Sequence, residues 1–301
     1  MAEYKFGFEE AWLRLILKKL PDNPDLFLPK AVEKAQSLLR VGKLKVGAAR
    51  AWAESAGLVC KKKGAFELTP LGQIIAKHDP NLEEDGIWWL LHYNLAKASS
   101  PAWFYSYYCN EFSQDNFSRD DFETAVRAYW DDNHEKPMTD SVFHKLIFSP
   151  FKQVFEGTRL GDEFGFWRTD DEGNFFRQTH DAPPLPKAIL AYALLDWAME
   201  QERQSVHLEK LMEAGGVGRI FRLTREDFDS LLVDIGEYYQ KQVAWISHTA
   251  GLNSISIMDC PALVMVSAFY HELDGEEPMD ALAMGKQEVE KIIGQATPLF
   301  S

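Results

Sequence analysis

From Phe8 to Lys77 the chain strings three helical apolar patterns, a short hairpin and one more helix together, and few folds accept that order. Phe8, Trp12, Leu15, Ile16 and Leu20 recur at helical spacing, so an amphipathic helix is expected up to Leu20, stopped at Pro21. After the turn-rich PDNPD stretch, Val32, Ala35, Leu38 and Leu39 repeat the spacing within residues 29–39. Arg40-Val41-Gly42 breaks it, and a third helix is expected from Lys43 to Ala56, ended by Gly57. Leu58-Val59-Cys60 and Ala65-Phe66-Glu67-Leu68 then flank Lys61-Lys62-Lys63-Gly64, which reads as a hairpin with a basic tip. Thr69 and Pro70 supply the N-cap and first residue of a closing helix, residues 71–77. This is the plan of a winged helix-turn-helix.

The charge distribution points the same module at nucleic acid. The whole chain has a net charge of −14, but residues 1–77 hold 14 Lys/Arg against 8 Asp/Glu, leaving 18 against 38 for the rest. Between Arg40 and Lys63 there are seven bases (Arg40, Lys43, Lys45, Arg50, Lys61, Lys62 and Lys63) and one acid, Glu54. Phosphate contact depends on local cation density, because each neutralised phosphate releases counterion. These seven residues are therefore the expected DNA-binding set. On the wheel of the third helix Val46, Ala49, Ala53 and Ala56 share one face, and Lys43, Gly47, Arg50 and Glu54 make a polar stripe. Lys45 falls nearer the buried face, in the first turn, where it can still reach solvent.

The remainder reads as mainly α with small β-hairpins. The expected division is a winged helix-turn-helix over residues 1–78, an aromatic-rich helical domain over 79–160 and a C-terminal α+β region over 161–301. The density of Trp and Tyr in residues 87–93 and 102–108 is expected to build a packed core rather than a base-stacking platform. Two aromatic runs around Asp170-Asp171-Glu172-Gly173-Asn174 suggest a hairpin with an acidic turn whose spacing does not suit a calcium loop. The run Ala182-Pro183-Pro184-Leu185-Pro186 reads as a linker. Helices are then expected over residues 187–201 and 206–214, followed by a glycine-rich stretch and a helix capped by Thr224. Glycines 215, 216 and 218 lack the lysine of a phosphate loop. The order loosely echoes the first half, so a second winged-helix-like unit is expected.

Cys60, Cys109 and Cys260 form no C-x-x-C pair, which argues against a zinc ribbon or a disulfide framework and fits a reducing cytoplasm. The acidic start is not a secretory signal, and no apolar run is long enough to span a membrane. No organic cofactor is expected.

Several ordered motifs carry a resemblance: Val41-Gly42-Lys43, Ala56-Gly57-Leu58-Val59, Leu68-Thr69-Pro70-Leu71-Gly72, Asp79-Pro80-x-Leu82-Glu83 and Trp88-x-Leu90-Leu91-His92. A looser pair, Gly218-Arg219-x-Phe221-x-Leu223 and Thr249-Ala250-Gly251-Leu252, continues it. Together they resemble the SspB-like family of bacterial DNA phosphorothioation and phage-defence operons. The resemblance implies a DNA-binding partner of sulfur-transfer and ATPase proteins, and for some members strand nicking. Phosphodiester hydrolysis usually needs carboxylates gathering Mg²⁺ or Mn²⁺, or a histidine base. Asp79, Glu83 and His92 are the expected catalytic set, and the sequence assigns no metal ligands. Two other readings compete. A non-enzymatic winged-helix regulator or adaptor would bind duplex DNA as a symmetric homodimer, and a pure scaffold would bind a sulfur-transfer partner instead.

Overall fold

The computed structural model describes residues 4–247 and 254–295; the Thr249–Leu252 motif lies outside them. The protein is mainly helical with small antiparallel sheets, as the patterning suggests. It divides into two compact units, Met1–Glu67 with Ser99–Pro183, and Leu68–Ala98 with Pro184–Ser301. These units cut across the linear division at 78 and 160. The expected Ala182–Pro186 linker does contain one crossing.

The first stretch runs α1 (Glu10–Lys19), α2 (Val32–Leu39), α3 (Lys43–Ser55), β1 (Val59–Lys62) and β2 (Ala65–Leu68). Arg40 caps α2 in the left-handed region at φ 56°, and the Val41 amide returns to the Gln36 carbonyl at 3.1 Å. That reversal lets α3 start two residues later. Between the two strands Lys63 and Gly64 both have positive φ, 48° and 84°, the signature of a tight two-residue hairpin turn. The Phe66 amide donates to the Pro24 carbonyl at 2.8 Å, so the hairpin also pairs with the loop before α2.

The chain continues through α4 (Pro70–His78) and α5 (Asp85–Ala96), then α6 (Trp103–Asn110), β3 (Asn116–Phe117) and α7 (Arg119–Asn133). Next come α8 (Asp140–Val142), a π-helical stretch (Phe143–Phe148), α9 (Ser149–Phe155) and α10 (Arg159–Asp162). Pro150 explains the widened helix, since it offers no amide to the preceding turn and its ring crowds the carbonyl there. β4 (Arg168–Thr169) and β5 (Phe175–Phe176) form the acidic-turn hairpin, with β3 on the other side of β5. Asp170 accepts the Glu172 and Asn174 amides at 3.0 and 2.8 Å, so it closes the turn itself.

The first unit packs around aromatic rings. Trp52 of α3 is fully buried, meets Tyr4 and Phe104 edge-on at 5.2 and 5.8 Å, and donates its indole N–H to the Phe6 carbonyl at 2.7 Å. The three N-terminal helices therefore share a core with α6, which is why they do not form a body of their own. Truncating Trp52 to alanine is expected to cost roughly 3–5 kcal/mol.

After Pro184 the second unit resumes with α11 (Lys187–Glu200), β6 (Ser205–His207), α12 (Val217–Ile220), α13 (Arg225–Tyr238), β7 (Ala244–Ser247), β8 (Ser254–Ile257), α14 (Leu263–Leu273) and α15 (Pro278–Gln295). Here one expectation fails. Residues 206–214 were expected as a helix, but Val206 pairs with Ile255 in β6 and a 3-10 turn follows, so a distant strand overrides the local apolar spacing. Within the glycine-rich stretch, residues 217–220 are a short helix. Its glycines serve close packing, since a Cβ on Gly216 would stand 2.4 Å from the Leu211 carbonyl oxygen. The sheet order is β6-β8-β7, all antiparallel, and the Thr224 hydroxyl accepts the Asp227 amide at 3.1 Å as the cap of α13.

Candidate functional site

The structure sorts the seven expected DNA-binding residues, all in the first unit, into two groups. Arg40, Lys43, Lys61 and Lys63 are exposed and have no acidic partner among the described residues. Arg40 and Lys43 border a cavity of about 450 Å³ at the start of α3, together with Phe6, Glu9 and Leu44. Leu44 is 73% exposed there. Lys61 lies over the Phe66 ring at 5.8 Å.

The other three are engaged within the module. Lys45 pairs with Glu9 at 2.6 Å and hangs over Trp12 at 5.4 Å, so its position near the buried face is answered by an acid on the neighbouring segment. Arg50 lies 3.6 Å from Glu54 one turn on, and its guanidinium covers Phe66 at 5.6 Å. Lys62 meets Glu67 across the hairpin at 3.2 Å. A phosphate would have to compete with these partners.

Asp79, Glu83 and His92 belong to the second unit, and the structure gives each a different setting. Asp79 is buried at the end of α4, where its two oxygens accept the Glu83 amide at 2.8 Å and the Glu84 amide at 3.1 Å. It thereby closes the loop leading into α5. Glu83 is exposed. His92 is fully buried in α5, with Nε2 3.0 Å from the Ile220 carbonyl and Phe221 and Trp89 against its ring. Burial lowers its pKa to about 4, against the opposing pull of the Ile220 carbonyl and with help from the Arg222 charge. At neutral pH it is an uncharged donor inside the core. The three side chains do not converge on an accessible surface. Among the described residues no three His, Cys, Asp or Glu side chains gather as a metal ion would require.

Sequence reasoning missed a different cluster in this unit. Glu288 of α15 is nearly buried and accepts from Lys77 at 2.5 Å, Ser267 at 2.5 Å and His78 Nε2 at 3.1 Å. His271 Nε2 stands 3.7 Å from the same carboxylate. His78 stacks on Tyr270 at 4.8 Å and meets His271 edge-on at 5.8 Å. Burial alone would raise the Glu288 pKa, but the hydrogen bonds from Lys77, Ser267 and His78 prevail and hold it at about 2. The residues come from α4, α14 and α15, up to 211 positions apart, so no local motif announces them.

No curated protein matches the chain. Two solved structures are similar over almost its whole length: a magnesium ion-bound SspB crystal structure with a TM-score of 0.74 and an SspB crystal structure with 0.73. Each is 20% identical and is matched over 98% of this chain and 96% of its own. At that identity the likeness establishes a shared fold, which agrees with the SspB-like motifs. Among the described residues no helix is long and apolar enough to cross a membrane. The family described as protein of unknown function (DUF4007) matches residues 5–149 and 160–270, and the chain belongs to that family.

Proposed function

We propose that this protein is the DNA-binding, strand-nicking component of a bacterial DNA phosphorothioation and antiphage defence system, working beside sulfur-transfer and ATPase proteins. The observation that carries the reading is the end-to-end likeness to SspB, at TM-scores of 0.74 and 0.73. The first unit supports its DNA-contacting part. The order α1, α2, α3, β1, β2, with Phe66 bonded back to Pro24, is read as a winged helix-turn-helix with α3 as the recognition helix. The order α11, β6, α12, α13, β7, β8 is read as a second, more acidic unit of the same kind.

Arg40, Lys43, Lys61 and Lys63 are the groups that would meet phosphates. Arg40 and Lys63 stand at left-handed backbone positions, which cost a side-chain-bearing residue about 1–2 kcal/mol relative to the right-handed region. A cation held there against that preference supports a role for the charge. Backbone attraction would exceed base reading on this surface, because Arg50 of the polar stripe is already tied to Glu54.

Mg²⁺ is the metal proposed for cutting, with Mn²⁺ as a substitute, following the magnesium-bound SspB structure. The described residues offer no three-ligand protein site. Mg²⁺ commonly binds through one or two carboxylates plus substrate phosphates, so a ready-made protein cage is not required.

Measuring duplex affinity against salt tests the DNA contact. Replacing Arg40, Lys43, Lys61 and Lys63 together by alanine should lower affinity and reduce the salt slope by about 3.6, at about 0.9 per phosphate. An unchanged slope would remove this surface from the interface. It would also favour the adaptor reading, in which the winged units bind protein.

A further inference from the structure

A cavity of about 400 Å³ in the second unit opens between α4, α14 and α15, lined by Gln73, Lys77, His271, Gln287, Glu288 and Lys291 among others. Its volume lies in the usual range for small-ligand sites. We propose that this cavity binds a phosphate monoester, from a DNA end or from a free nucleotide, through Lys291, Lys77 and His271.

The chemistry of the wall selects an anion. Lys77 and Lys291 bring two positive charges, and Lys291 has no acidic partner among the described residues. The one carboxylate, Glu288, is already met by Lys77, Ser267 and His78, which offset its charge. Lys77 has three N–H groups and gives Glu288 one contact, so the others can turn to a ligand. His271 lines the cavity, and its Nε2 stands 3.7 Å from Glu288, beyond hydrogen-bond distance. Two lysines against one carboxylate leave the cavity wall a net charge of +1, in a chain of net charge −14. Glu288 acts as a positioning residue: by fixing Lys77 and His78 it holds the cavity rim in one arrangement before a ligand arrives. The choice of phosphate among anions rests on the nicking function proposed above, whose reaction leaves a phosphate on one DNA end or handles one in the backbone.

The test is calorimetric titration of the full chain with four probes: inorganic phosphate, deoxyadenosine monophosphate, and one oligonucleotide with and without a 5′-phosphate. Lys291→Ala should weaken binding of a phosphate monoester by about tenfold or more, the loss of one charge-assisted hydrogen bond. Lys291→Arg should retain it. Lys286→Ala, on the same helix but lining a different groove, should leave it unchanged. Preference for the phosphorylated oligonucleotide would identify a DNA end as the ligand, and equal binding of the mononucleotide would identify a nucleotide. Absence of binding by every phosphate probe, or equal losses in Lys291→Ala and Lys286→Ala, would overturn the proposal. The two readings fail separately. A wild-type protein that nicks plasmid while Lys291→Ala binds phosphate normally removes the cavity and leaves the function. Phosphate binding that depends on Lys291, with plasmid left intact, does the reverse.

Discussion

His92 gives the sharpest link between a buried contact and a measurable property. In the unfolded chain its pKa is near 6.5, whereas in the folded protein burial holds it at about 4. Above pH 6.5 the imidazole is neutral in both states and contributes no pH dependence. As pH falls from 6.5 toward 4, the unfolded chain takes up a proton that the folded one refuses. Stability therefore drops by about 1.4 kcal/mol per pH unit, and by about 3 kcal/mol over the interval. Urea unfolding followed by circular dichroism at pH 7.5, 6.0 and 4.5 would show it against His92→Gln, which can still donate to the Ile220 carbonyl but does not titrate. The wild type should lose about 2–3 kcal/mol more than the variant between pH 7.5 and 4.5. Parallel curves would refute the account, because they would mean that His92 protonates freely in the folded state.

Three other outcomes follow from local geometry. Lys63→Asn places the favoured Asn-Gly pair in the hairpin turn and should stabilise the protein by up to about 1 kcal/mol while weakening DNA affinity, two effects of opposite sign that thermal melts and a binding titration would separate. Glu288→Gln should flatten the acid limb of the stability curve, since a carboxylate held at about 2 contributes stability above its unfolded pKa of 4.5 and loses it as pH falls toward 2; an unaltered acid limb in urea melts would contradict the cluster. Thr69→Ala removes the hydroxyl that accepts the Gly72 amide at 3.0 Å at the start of α4, and should cost about 1 kcal/mol in chemical denaturation.

What could be read in advance depended on how far apart the interacting residues lie. The Thr69 cap, the Gly57 stop and the Lys63-Gly64 turn are settled within a few residues, and the sequence shows them. Arg50 and Glu54 could be placed on one stripe by helical spacing, but the Phe66 ring under Arg50 comes from a strand sixteen residues away. Lys45 lies near the buried face of its helix, and Glu9, the acid that answers it, stands 36 positions earlier. His92 stands out in the sequence because it interrupts an aromatic run, yet its partner is the Ile220 backbone, 128 positions on and invisible to any side-chain motif. The failed helix over residues 206–214 has the same origin, since β6 exists only by pairing with β8. His78, His271 and Glu288 show the limit most plainly. They lie on three helices, and nothing near any of them in sequence marks it as part of a set.

The proposed cutting of one DNA strand can be read on a supercoiled plasmid. Purified protein with Mg²⁺ or Mn²⁺ should convert supercoiled plasmid to the open circular form, with little linear product. Plasmid that stays supercoiled with both metals, at every protein concentration, would contradict the claim for the isolated protein.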